Sequence, residues 1–317
     1  MPLRARSTYW IVDYIDPTPD IEDWHRRLNA REQTIVACLL SLLASSKGVH
    51  SGTIWRYFAV GSRVMETRYF FAVQMVMENT HMECCSRFLW SFLRDGDARQ
   101  RVYDDLSKLS YIRERAAWTS RWFESLVAPY HLRLFAFAAS QAVSYSIVFA
   151  VLLWIEERAL LPSLAQCNRL MATDGGVLIR YARELALLLE KCPCQHLAEE
   201  VVVEAVEIEK RFLSTSLTLS HIGLDEKDVS TFIEYTADRL LDAFGYQKKY
   251  HSANPLPFAQ LKPLHSDNDF FALRESSYAI PVGADVASVP PHPAEPQTSS
   301  DSVGSFDPNS PSHWEIV

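Results

Sequence analysis

Glycine is scarce in this chain, 10 in 317 residues. So few leave little for the Gly-rich loops that cradle nucleotides or for the turns of hairpin-dense β folds. Basic charge is also short. The formal net charge is −8 and the pI near 5.7, which argues against a nucleic-acid partner, because phosphates demand a basic surface. The N-terminus, MPLRARSTYWIVDYIDP, lacks the apolar core of a signal peptide. Six cysteines are present, but neighbours at Cys84 and Cys85 and a Cys192-Pro193-Cys194 step do not make a disulfide framework. Free thiols in a reducing compartment follow. No second pair accompanies Cys192 and Cys194, so that step reads as a helix-end loop and not a metal site.

What is present is apolar and periodic. Hydrophobic residues make up 48% of the chain, enough for a sizeable core. Residues 1–18 read as an irregular arm with prolines at 2 and 17. From Ile21 to Tyr246 the apolar positions recur at three and four, as in Ile35, Leu39, Leu42 and Leu43, then Phe70, Val73, Val76 and Met77. Asn29 is the expected cap of a helix through REQTIVACLLSLLASS. Long helices are expected near 63–92, 97–122, 127–158, 163–190, 197–218 and 226–245, a bundle spanning 19–280. Residues 281–317 hold seven of the sixteen prolines with many serines and read as a disordered tail ending SHWEIV. An apolar tip on such a tether has the makings of a docking peptide.

Leu134–Ile155 carries no charge over 22 residues, long enough for a membrane span. The competing reading is a helix surrounded by others in a large bundle. Gln141, Ser140, Ser144 and Ser146 in its middle favour burial in protein over burial in lipid.

The densest chemical signal is MENTHMEC, residues 77–84, where Glu78 and His81 share a helix face. Two Glu-x-x-His pairs with two further carboxylates make a di-iron or di-manganese site in a helical bundle, but one pair alone is weak evidence. ETRYFFAVQMVMENTHMEC, RLFAFAASQAVSYSIVFAVLLWIEERALLPSL, NRLMATDGGVLIRYA, EAVEIEKRF, FIEYTADRLLDAFGYQKKYHSANPLPF and DNDFFALRESSY follow one another in the order and spacing of a known family. Together they resemble the small, radical-generating subunit of class I ribonucleotide reductase over about residues 20 to 280. Overall length and the short N-terminus resemble its herpesvirus branch.

The resemblance implies an all-α, ferritin-like bundle, a homodimer, a cytoplasmic setting (the host cytoplasm for a viral protein) and a large-subunit partner bound through the C-terminal tail. It also implies a di-iron cofactor, and here the chain departs. Glu78 and His81 keep ligand positions. The first carboxylate position falls on Lys47 or Ser46, depending on register. Gln141 stands at the next, and Gly175 and Leu178 replace the second Glu-x-x-His. Cys85 occupies the radical tyrosine position. Two iron ions bring at least four positive charges, and one glutamate cannot offset them in a buried site. The expected metal content is none or substoichiometric.

Other matched positions are retained. Trp24, Asp174 and His81 match the family's electron-transfer chain, and Tyr278 matches the tail tyrosine. The same residues also fit ordinary core packing and a satisfied buried hydrogen bond. Two functions follow for comparison. One is a homologue that has lost radical generation and keeps the scaffold or large-subunit binding. The other is a working subunit with metal-free or atypical radical chemistry. Relatives of that second kind exchange a ligand carboxylate for lysine but keep the tyrosine. Tyr145, one turn from Gln141, is the nearest replacement phenol. A membrane-associated interaction protein is a third reading, resting on Leu134–Ile155 alone. In the first reading Lys47 supplies the missing cation, its ammonium within about 4 Å of Glu78.

Overall fold

The computed structural model describes residues 10–260, apart from 61, 123, 125–126 and 190–192 and the side chains at 48–50. These all belong to the first of the chain's two units, Met1–Tyr278, the second being Ala279–Val317. Tyr278, Cys192 and the 281–317 tail with SHWEIV lie outside the described residues.

The fold is all-helical, and no strand occurs among the described residues. In chain order the main helices are α1 (Ala30–Thr53), α2 (Met65–Phe92), α3 (Gly96–Lys108), α4 (Ser110–Trp122), α5 (Tyr130–Ala142), α6 (Ser146–Glu157), α7 (Pro162–Leu188), α8 (Gln195–Ser216) and α9 (Glu226–Ala243). The first begins where expected, and its cap is reciprocal. Asn29 Oδ1 accepts from the backbone N–H of Arg31 and Glu32, and Glu32 Oε2 accepts from the N–H of Asn29. Orphan donors at the helix start are thereby satisfied in both directions. Beyond its last α-turn, α1 runs on as a π-helical stretch over Ile54–Ala59.

Two expected helices are each divided. The 97–122 segment breaks at Leu109, which takes an extended backbone (φ −66°, ψ 134°) between α3 and α4. The 127–158 segment breaks over residues 143–145. There Ser146 spends both its backbone N–H and its hydroxyl on the Val143 carbonyl, at 3.0 and 2.6 Å. Serine hydroxyls that bond back to the helix compete with the i→i−4 ladder and bend it. Charge-free composition showed the length of this segment but not the kink.

The two halves of that segment lie inside the bundle. Leu134, Ala136, Phe137, Ala138 and Ala139 are fully buried, as are Ile147 and Val151. In the most apolar window of Tyr130–Glu157, 83% is buried against protein. Packing of α5 on α7, α6 on α7 and α1 along α2 draws these helices into one bundle. Aromatic rings fill the layers on either side, including Phe70 stacked on Tyr181 at 3.6 Å and Phe58 on Phe137 at 4.9 Å. Burying each such side chain contributes roughly 1.5–3 kcal/mol.

The chain before α1 is drawn into the bundle by polar contacts. Asp20, fully buried, accepts from the N–H of Ser163 and Leu164 at 2.9 and 2.8 Å and so caps α7 from 143 residues away. Trp10, within the part expected to be an irregular arm, is also fully buried.

Candidate functional site

Lys47 is the long polar side chain at the bundle centre, 1% exposed near the middle of α1. Its Nζ lies 3.1 Å from Glu78 Oε2 and 3.3 Å from Oε1 on α2. It also donates to Gln141 Oε1 on α5 at 3.2 Å. Gly175 on α7 closes the group, since a Cβ built there would meet Gln141 Oε1 at 3.9 Å. The register of α1 is therefore fixed with Lys47 inward. Ser46 is half-buried, donates to the Leu42 carbonyl and accepts from the Tyr145 hydroxyl at 3.2 Å.

Burial alone would push the Lys47 ammonium towards its neutral form. The Glu78 carboxylate, with the Tyr145 phenol, outweighs that, and the net direction is upward. Lys47 Nζ sits 4.1 Å from the centre of the Tyr145 ring, and the Arg115 guanidinium sits 4.5 Å from the same centre. From Arg115 the polar chain continues to α8: Arg115 donates to the Tyr111 hydroxyl, which donates to Glu209 Oε1 at 2.7 Å. Burial pushes the Glu209 carboxyl up to about 8, against the opposing pull of Arg115 and Tyr111. Composition and spacing gave no signal for this extension, because Arg115 and Glu209 lie on helices with ordinary charged patterns.

One turn from Glu78, His81 turns its Nε2 to Asp174 Oδ2 on α7 at 2.8 Å. Its Nδ1 is buried and has no hydrogen-bond partner among the described residues. The tryptophan beside this pair is Trp10 and not Trp24. Trp10 Nε1 donates to Asp174 Oδ2 at 2.9 Å, and its ring stacks on His81 at 5.8 Å. Trp24 instead stacks flat on Phe92 at 4.4 Å. Trp24, matched in the sequence to an electron-transfer position, is thus not the tryptophan bonded to Asp174. Trp24 is a core residue at the start of the bundle, and the apolar run Trp10-Ile11-Val12 in a polar arm was the overlooked signal.

Cys85 is fully buried on the same face of α2, with Sγ 3.9 Å from Met171 Sδ. Burial pushes its thiol well above the usual range. Leu178 is buried and offers no donor. A di-metal cluster does not fit this set. The ammonium of Lys47 stands between Glu78 and Gln141, one carboxylate is available beside it, and Asp174 is engaged with Trp10 and His81. Among the described residues no three His, Cys, Asp or Glu side chains are grouped to hold a metal ion. A second positive charge placed beside Lys47 would meet repulsion in a low-dielectric interior.

A helical bundle in which four helices face one another belongs to the architecture on which carboxylate-bridged metal centres are built between helices. The model of the family "Ribonucleotide reductase, small chain" matches residues 1–255, and the chain belongs to that family. It is similar to a ribonucleoside-diphosphate reductase small chain of Encephalitozoon cuniculi, 34% identical over 87% of this chain and 84% of that one. It is likewise similar to the small chain of Schizosaccharomyces pombe, at 31% over 87% and 71%. Among solved structures, the Rnr4 homodimer of Saccharomyces cerevisiae superposes with a TM-score of 0.76 at 29% identity, covering 82% of this chain and 81% of that one. The expected ferritin-like, all-α fold of the ribonucleotide reductase small subunit is thus the observed one.

Proposed function

We propose that this chain serves ribonucleoside-diphosphate reduction as a small-subunit homologue that no longer generates a radical. It keeps the scaffold and the capacity to bind a large subunit. One observation carries this reading: the Lys47 ammonium, bonded to Glu78 and Gln141, stands among the matched metal-ligand positions. One lysine balancing one glutamate leaves no excess negative charge to attract metal ions. The Rnr4 structure is that of a homodimer, and we extend that assembly to this chain. The SHWEIV terminus is assigned to large-subunit docking.

The retained Trp10–Asp174–His81 chain favours a second reading, a working subunit with atypical radical chemistry. Two features weigh against it. Cys85 is no phenol, and Tyr145 has two cations near its ring that oppose loss of an electron from it. The membrane-associated reading loses its support, because the segment that suggested it is buried in protein.

The two remaining readings separate in one assay. Metal-depleted full chain is mixed with a cognate large subunit, and deoxynucleotide formation and the electron paramagnetic resonance spectrum are followed. The first reading expects binding, no organic radical and no turnover above the large subunit alone. Turnover with a radical signal would replace it with the second. Deleting residues 311–317 is expected to abolish binding, and unchanged affinity would refute the docking assignment.

A further inference from the structure

Part of the seam between α2 and α7 is built from three side-chain pairs. His81 meets Asp174, Cys85 meets Met171, and Cys84 meets Cys167. The two cysteine sulfurs of the last pair are 2.7 Å apart. Cys84 is 1% exposed and Cys167 fully buried. Cys84 and Cys85, adjacent on one helix, point about 100° apart and cannot pair with each other. Cys85 is committed to Met171.

We propose that Cys84 and Cys167 are a dithiol that a small hydroperoxide converts to a disulfide, cross-linking α2 to α7 beside the Lys47–Glu78 pair. Nothing in the proposed role in nucleotide reduction requires this pair. Burial sets the class of oxidant, since a hydrogen-peroxide-sized molecule penetrates where a peptide disulfide cannot. One sulfur attacks a peroxide oxygen and the O–O bond breaks, giving a sulfenic acid and one water. The second sulfur then displaces a further water from the first. Two thiols give up two electrons and two protons, and one hydrogen peroxide becomes two waters. Burial pushes the Cys167 thiol well above the usual range, and because the thiolate is the reactive form the cross-link forms faster as pH rises. Closing a loop of more than eighty residues constrains the unfolded chain, so the oxidised protein is more heat-stable than the reduced one.

The test is peptide mapping by mass spectrometry of the full chain before and after hydrogen peroxide, without reductant. The expected product is a peptide joining residues 84 and 167, about 2 Da lighter than the two separate thiol peptides together, present in most chains and absent after dithiothreitol in denaturant. A Cys85→Ser variant is expected to keep the cross-link and Cys167→Ser to lose it. Oxygen adducts on Cys84 or Cys167 with no joined peptide would overturn the proposal, as would a joined peptide through any other cysteine in place of Cys167. The unmodified sequence alone decides this, so a variant that fails to fold leaves the test intact. Exposed Cys194 is an internal control for oxidant delivery.

Discussion

At the centre of the bundle an ammonium and a carboxylate hold each other in place, and neither has water to fall back on. Removing one partner of such a pair strands the other, at a cost of roughly 3–5 kcal/mol. Lys47→Met and Glu78→Gln are each expected to lower the unfolding free energy by that amount, read from urea titration. The double variant is expected to lose far less than the sum, because both charges leave together. Additive losses would show that the two residues do not stabilise each other. Lys47 is raised above its unfolded value, so its contribution is complete below about 10.5 and disappears only as pH climbs through the still higher folded value. Glu209 behaves in the opposite range. Its folded value of about 8 exceeds the ordinary 4.5, so the folded state holds the proton more tightly. That stability is complete below about 4.5 and is lost as pH rises through 8. At about 1.4 kcal/mol per unit the fall is roughly 3–5 kcal/mol. Glu209→Gln is expected to flatten the decline between pH 5 and 8 in thermal melts, and an unchanged slope would count against it. The exchanged ligand positions were legible as residue types, because a lysine or a glycine cannot be mistaken for a carboxylate. The partners were not. Trp10 and Glu209 come from distant helices and arms, and only packing shows that they meet the site.

Among the helices, α7 carries the clearest mark of the altered centre. Gly175 lies in its interior without positive φ and with room for a Cβ, whose nearest contact is Gln141 Oε1 at 3.9 Å. Glycine in a helix interior costs roughly 0.5–1 kcal/mol relative to alanine. Gly175→Ala is therefore expected to stabilise the protein by about that much, read as a higher melting temperature. A destabilised variant would mean that the emptied position is already filled. The start of α1 gives an expectation of the other sign. Asn29→Ala removes acceptors for two backbone donors and is expected to cost about 1 kcal/mol. Helix existence and most ends followed from three-four periodicity and from caps. The breaks at Leu109 and at 143–145 did not, because a buried kink made by a serine hydroxyl leaves the apolar pattern unbroken.

For the molecule as a whole, the proposed loss of radical generation implies a fold that stands without a metal cluster. Four helices meet at a neutral ion pair, and apolar layers of phenylalanine and tyrosine close around it. Chelators are then expected to leave the melting temperature unchanged. The most direct measurement is elemental mass spectrometry of the full chain, loaded anaerobically with ferrous or manganous ion and stripped of loosely bound metal. Charge balance at Lys47 and Glu78 predicts less than about one tightly held metal ion per chain. A content of about two per chain, the number a bridged di-metal centre takes, would contradict it.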